Sequence, residues 1–243
     1  MDHAYTILPL GEAGLLVRFG SAIRPDIHRC VKALADQLDR HPFPGLIETV
    51  ISYTSLAVYY DPFRVRQSGG PAKTASAFQS VSSFLKEEAI PLADTGTGTA
   101  ARTVEIPVCY GGECGPDLPF VAEHCGLSEE EVIRIHTEPE YLVYMIGFCP
   151  GFPYLGGMDK RIATPRRQTP RLAIPARSIG IAGEQTGGYP FSTPGGWQII
   201  GRTPEDLFRP DREDDPSLLH AGDIVRFRAI SMEEYLAQRG DEA

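Results

Sequence analysis

Residues 141–202 read YLVYMIGFCPGFPYLGGMDKRIATPRRQTPRLAIPARSIGIAGEQTGGYPFSTPGGWQIIGR. An apolar run, 141–148, breaks into a loop holding Pro150, Gly151, Pro153, Gly156 and Gly157. Arg166, Arg167 and Arg171 follow, among Pro165 and Pro170. A second apolar run, 178–182, enters Gly183, Gly187, Gly188 and Pro190, and Pro194, Gly195, Gly196 and Trp197 close the stretch. Glycine accepts positive φ and proline fixes φ, so their alternation with short β-like runs predicts a many-turned β domain. Glycine also marks places where a ligand or another backbone comes close. Arginines set between such turns match a carboxylate or phosphate, which a guanidinium meets with paired hydrogen bonds. The plainer reading of the same arginines is a solvated surface.

Outside this stretch the chain falls into two parts. The pattern ββαββα covers residues 1–93: strands at 5–8 and 15–19, a helix opened by Pro25 with Ile27, Val31, Leu34 and Leu38 on one face, strands at 46–52 and 55–60, and a second helix through Phe78, Val81, Phe84 and Leu85. That order predicts a small α+β domain with helices on one face of an antiparallel sheet. His28 is expected at the surface of the first helix. Residues 94–102 are rich in Gly, Thr and Ala and read as a linker. The second domain is expected over 103–243, with strands at 103–108 and 224–227, a helix near 116–124, a Ser128/Glu131 capping box before a helix ending at His136, and a last helix at 231–238. Two stretches imitate phosphate-binding loops, at 69–74 and 96–101, and both fail on spacing and context.

Composition excludes several classes. The 243 residues are 42% hydrophobic, with no run near the roughly 20 residues that span a bilayer. The net charge of −9 argues against nucleic acid as the main partner. No secretory leader is read at the start, so the cytoplasm and free thiols are expected. The five cysteines, Cys30, Cys109, Cys114, Cys125 and Cys149, fit neither a disulfide framework nor a common zinc spacing, and no metal site is expected. Cys149 is a nucleophile candidate, with His124 or His136 as the base it would need. His136 is a general-base candidate in its own right. The aromatic residues Phe148, Phe152, Tyr154, Tyr189, Phe191 and Trp197 sit at or near turns, where an exposed cluster would call for a covering partner.

These motifs resemble the Kip inhibitor / allophanate hydrolase subunit 1 family. The resemblance is carried by Tyr110-Gly111-Gly112-Glu113, Val121-Ala122-Glu123-His124, Ile135-His136-Thr137, the run from Gly147 to Gly156, Pro165-Arg166, Pro170-Arg171, the run from Ile179 to Gly183, Gln185-Thr186-Gly187, Tyr189-Pro190, Pro194-Gly195-Gly196-Trp197 and Gly201-Arg202-Thr203. It implies a mainly-β, cyclophilin-like barrel after the α+β domain. It implies one component of an ATP-dependent (and so magnesium-dependent) 5-oxoprolinase, most bacterial members being its B subunit. Such an enzyme opens 5-oxoproline to L-glutamate only when its A and C subunits are present, the latter homologous to this chain. The alternatives within the resemblance are a biotin-dependent carboxyltransferase-like module of allophanate and urea metabolism, and a protein inhibitor of a sensor histidine kinase. The chemistry of that reaction needs cations for a carboxylate and phosphate and donors for a lactam oxygen, so His136 and Gln185 are expected to be catalytic, and Arg166, Arg171, Thr186, Gly187, Tyr189 and Arg202 to bind substrate or phosphate. One departure stands out: the family usually has Gly where this chain has Arg177.

Overall fold

The computed structural model describes residues 5–68, 76–90 and 101–239. The glycine-rich stretch after residue 68, both phosphate-loop imitations and nearly all of the expected linker therefore lie outside the described residues. The chain divides into two compact units at residues 100/101.

The first unit is a four-stranded antiparallel sheet in the order β1-β2-β4-β3, from β1 (Thr6–Pro9), β2 (Gly14–Arg18), β3 (Leu46–Ile51) and β4 (Ser55–Tyr60). Helix α1 (Pro25–Arg40) packs on one face. Strand alternation puts Leu15, Val17, Leu56, Val58 and Tyr60 into the core, where they meet Val31, Leu34 and Leu38. Three details depart from the sequence reading. A short helix, α2 (Pro62–Gln67), follows β4, with Asp61 accepting from the Phe63 and Arg64 amides and Pro62 in the first turn. Asp61-Pro62 thus starts a helix as well as ending a strand. The next helix, α3 (Ala77–Phe84), begins with a Ser76/Gln79 capping box and runs on as a wider turn over Leu85–Ala89. His28 is buried, not at the surface, because it shares the inward face of α1 with Ile27 and Val31. Burial, aided by Lys32, lowers its imidazole to about 4.

The second unit is a closed barrel of seven strands in the order β10-β7-β6-β13-β5-β12-β9. Its strands are β5 (Thr103–Tyr110), β6 (Tyr141–Ile146), β7 (Pro153–Gly156), β9 (Ser178–Ala182), β10 (Gln185–Gly188), β12 (Gln198–Arg202) and β13 (Ile224–Ile230). A two-stranded ribbon, β8 (Arg171–Ile174) with β11 (Thr193–Gly195), stands beside it. The barrel pairings are antiparallel except β5 with β13, which run parallel in register from Thr103/Ile224 to Cys109/Ile230. Helices α4 (Leu118–Cys125), α5 (Glu129–Thr137) and α6 (Met232–Arg239) complete the unit. The Ser128/Glu131 capping box forms as read from sequence. Strand β7 lies inside the proline- and glycine-rich stretch expected to be a loop. There Pro153 opens the strand, a position that needs no ladder N–H.

Arg177 has φ +69°, the left-handed region that favours glycine. This accounts for the family's usual residue there. The arginine is held by its backbone, which donates to the Tyr189 carbonyl and accepts from the Thr203 amide, and by an ion pair with Asp206 at 3.0 Å. The left-handed conformation costs about 1 kcal/mol. The ion pair, on an exposed aspartate, returns at most about that amount. Arg177→Gly should therefore change stability by less than about 1 kcal/mol, whereas Arg177→Val, β-branched in the same conformation, should lose about 2 kcal/mol. Thermal unfolding of the two variants checks this, and equal losses would contradict it.

Candidate functional site

The arginine-bearing segment, 164–171, is fastened to the barrel at several points. Thr164 bridges to Gly183. The buried Gln198 donates from Nε2 to the Pro165 carbonyl at 2.9 Å, and the Arg167 amide donates to the Gly196 carbonyl. Asp117 makes the strongest tie. It precedes α4, is almost fully buried, and leaves its own helix uncapped. Its carboxylate instead accepts both Nη atoms of Arg171 at 2.8 Å, Nη1 of Arg167 at 2.9 Å and the Ile199 amide at 2.6 Å. A buried carboxylate is tolerated only with such complete pairing. The planar fork of Arg171 therefore faces Asp117, so its anion lies within the chain.

Beside this anchor is a second, aromatic core. Phe152 meets Tyr154, Tyr189 and Trp197 edge-on, with ring centroids 5.2, 5.4 and 5.6 Å apart. Each such pair contributes about 1 kcal/mol beyond area burial. Two glycines make room for it. A methyl at Gly187 would lie 3.0 Å from the Pro153 carbonyl and 3.2 Å from the Trp197 ring, and one at Gly195 would lie 2.8 Å from the Tyr189 hydroxyl. The aromatic residues at these turns are mostly interior: Phe152, Tyr189 and Trp197 are buried, and Phe148 and Phe191 remain outside. Phe148, itself at φ +67°, packs on Phe152 at the rim.

Polar groups converge at one edge of this core. Tyr189 is 2% exposed, yet its hydroxyl has no hydrogen-bond partner among the described residues. Burial pushes that hydroxyl up to about 12, against the nearby positive charge of Arg166, with Cys149 and Tyr154 also close. Arg166 is exposed and makes no ion pair among the described residues. Burial also raises the Cys149 thiol, which disfavours the thiolate that a nucleophile needs. The arrangement is a fixed hydroxyl donor and an open guanidinium on a rigid aromatic and glycine floor, which suits a small anion carrying a planar polar group.

The other expected site residues go elsewhere. His136 is fully buried and stacks on Phe227, with ring centroids 4.6 Å apart. The Thr186 hydroxyl donates to the Gly180 carbonyl at 3.1 Å, so at 2.9 Å it accepts from His136 Nε2. The Tyr110 hydroxyl then donates to Nδ1 at 2.7 Å. Burial lowers the imidazole to about 3, which keeps it neutral. Both nitrogens are engaged in the core, so this geometry makes His136 and Thr186 a buried brace between α5 and β10, not an acid–base pair facing substrate. Gln185 begins β10, half-buried, opposite Ala182. Arg202 ends β12 opposite Ser178, whose carbonyl accepts from the Tyr189 amide, and its Nε donates to the Ala176 carbonyl. The structure therefore sets Arg166 near Tyr189, commits His136 and Thr186 to the core, and engages Arg171 and Arg202 with groups of the chain itself. Sequence reasoning misses Asp117, because its partners lie 50 and 54 positions away.

A family model described as carboxyltransferase domain, subdomain C and D, matches residues 5–219. The chain is 52% identical over 239 residues to the 5-oxoprolinase B subunit of Bacillus subtilis (strain 168), covering 98% of both chains. It is 56% identical to the 5-oxoprolinase B subunit of Haemophilus influenzae, covering 91% of this chain and 96% of that one. Among solved structures, TTHA0988 superposes with a TM-score of 0.73 at 38% identity over 90% of this chain, which spans 40% of that longer protein. No helix among the described residues is long and apolar enough to cross a membrane. With its matching motifs and near-full-length relatives, the chain belongs to the carboxyltransferase domain, subdomain C and D family, together with the 5-oxoprolinase B subunits.

Proposed function

We propose that this chain is the B subunit of a cytoplasmic, heteromeric 5-oxoprolinase that opens 5-oxoproline to L-glutamate at the expense of ATP, together with the A and C subunits of that enzyme, the latter its homologue. The names of its near-full-length relatives support the reading. The observation that carries it into chemistry is the pairing of an open Arg166 with the unpartnered Tyr189 hydroxyl at the glycine-floored edge of the aromatic core. A guanidinium matches the substrate carboxylate, and a fixed hydroxyl stabilises negative charge growing on the lactam oxygen. Gly187 and Gly195 let the Trp197, Phe152 and Tyr189 rings pack close to the backbone, which holds the Tyr189 hydroxyl in place. ATP and its magnesium supply the activation in the assembled complex, where phosphate charge is also met by cations. The exposed Phe148, Phe191 and Leu172 near this edge offer the apolar contact for a partner protein.

The test is co-expression with the C-subunit homologue, size-exclusion chromatography, and an assay of ATP-dependent glutamate release in the presence of the A subunit. Arg166→Ala should lower turnover about 100-fold or more with little change in melting temperature, since it removes a charge-assisted contact and no core packing. Lysine should rescue poorly because it lacks the planar fork. Full activity of Arg166→Ala would remove the anion site, and turnover by this chain alone would remove the need for partners. The family's carboxyltransferase description supports a second reading, in which the anion is carboxylated biotin borne by another chain. Biotin-dependent carboxyl transfer in place of glutamate release would select it.

A further inference from the structure

Cys109 lies at the end of β5 and Cys114 follows the turn through Gly111 and Gly112, both at positive φ. The Gly115 amide closes that turn onto the Gly111 carbonyl at 2.8 Å. The chain therefore doubles back and brings the two thiols near each other: both are free and both are buried. They form one small apolar cluster with Ile230 and Tyr235. Tyr235 is the one buried residue of α6, whose Met232 and Leu236 are exposed. One side chain of a peripheral helix thus packs with the pair, and such elements open at much lower free energy than the core.

We propose that Cys109 and Cys114 are a dithiol that a low-molecular-weight disulfide converts into an intramolecular disulfide, under the control of α6. The exchange balances in two steps. The Cys109 thiolate attacks one sulfur of the small disulfide, forms a mixed disulfide and expels one small thiolate. The Cys114 thiolate then attacks the Cys109 sulfur, closes the bond and expels the second. Two protein thiols are oxidised and one small disulfide is reduced to two thiols, which take up the two protons. Burial and the neighbouring thiol push Cys114 up to about 12, which makes it a poor first nucleophile, while Arg202 favours its thiolate for the second step. Arg202 pairs with Cys109 across β5 and β12. The turn that would be cross-linked leads directly into Asp117, the anchor of Arg167 and Arg171.

The test incubates the full chain with excess oxidised glutathione at neutral pH, quenches with acid, alkylates, and maps peptides by mass. The expected product is a Cys109–Cys114 cross-link with the loss of two hydrogens. Tyr235→Ala should form it about tenfold faster by easing the opening of α6. Cys114→Ser should stop at a glutathione adduct on Cys109. A variant with Cys30, Cys125 and Cys149 changed to Ser should still form the cross-link, and the wild-type map carries the test if that variant folds poorly. Full alkylation of both thiols after unfolding, in wild type and in Tyr235→Ala, would overturn the proposal. So would cross-links confined to other cysteines.

Discussion

Lowering the pH from 7 toward 4 should destabilise the barrel unit by on the order of 3 kcal/mol, and His136→Gln should remove most of that dependence. His136 has its folded value lowered from 6.5 to about 3 by burial. The unfolded chain therefore binds a proton that the folded barrel refuses. The associated stability is fully present above pH 6.5 and is lost as the pH falls from there toward 3. Protonation in place would put an uncompensated charge in the core, where Nδ1 accepts from Tyr110 and Phe227 covers the ring. Trp197 is the only tryptophan, so its fluorescence during urea unfolding reports on this unit. The wild type should lose about 1 kcal/mol per pH unit more steeply than His136→Gln across that window. The variant itself should be less stable at pH 7, since Tyr110 and Thr186 lose a shaped partner. Parallel pH profiles for the two proteins would contradict the assignment.

Asp117→Ala should cost about 3 kcal/mol and lower the melting temperature of the barrel by roughly 6–12 °C. The substitution leaves the Ile199 amide without its acceptor and two guanidinium groups without their anion. Arg167 and Arg171 are partly exposed and recover some hydration, which keeps the loss at the low end for a broken buried pair. Asp117→Asn keeps an acceptor and the volume, and should lose about half as much. Arg171→Ala should likewise act on stability first, in contrast to Arg166→Ala. Differential scanning calorimetry of the four variants separates the roles, and an unchanged Asp117→Ala would show that the cluster does not anchor the segment.

Much of this architecture is legible in the chain, for reasons visible residue by residue. Periodicity marks α1, because Ile27, Val31, Leu34 and Leu38 form one face, and the Ser128/Glu131 pair marks the start of α5. The same local logic holds the signal for α2, where Asp61 caps and Pro62 opens the helix, but a proline after a strand reads first as a stop. Strand β7 is hidden because its residues, Pro153 to Gly156, have turn composition and owe their pairing to β6 and β10. The site is legible only in part. Arg166 and Tyr189 stand out in the sequence and are near each other in the fold, whereas Arg171 stands there without its counter-ion. Nothing near Arg171 in sequence reveals Asp117, since the contact exists only after the barrel has closed. His136 is misplaced for a related reason: a histidine at a helix end looks solvent-facing until the strand that buries it, β13 with Phe227, is known.

The parallel pairing of β5 with β13 also bears on how this barrel comes into being. The two strands share a continuous register although more than a hundred residues separate them in the chain. Until Ile224–Ile230 has been synthesised, β5 and β6 each lack a neighbour, and the barrel interior has an open seam. A nascent chain on the ribosome therefore holds an unsealed sheet with exposed edges through most of the synthesis of this unit. Closure is a late, non-local event that is slow on loop-entropy grounds, and the unsealed intermediate is the species a chaperone would meet.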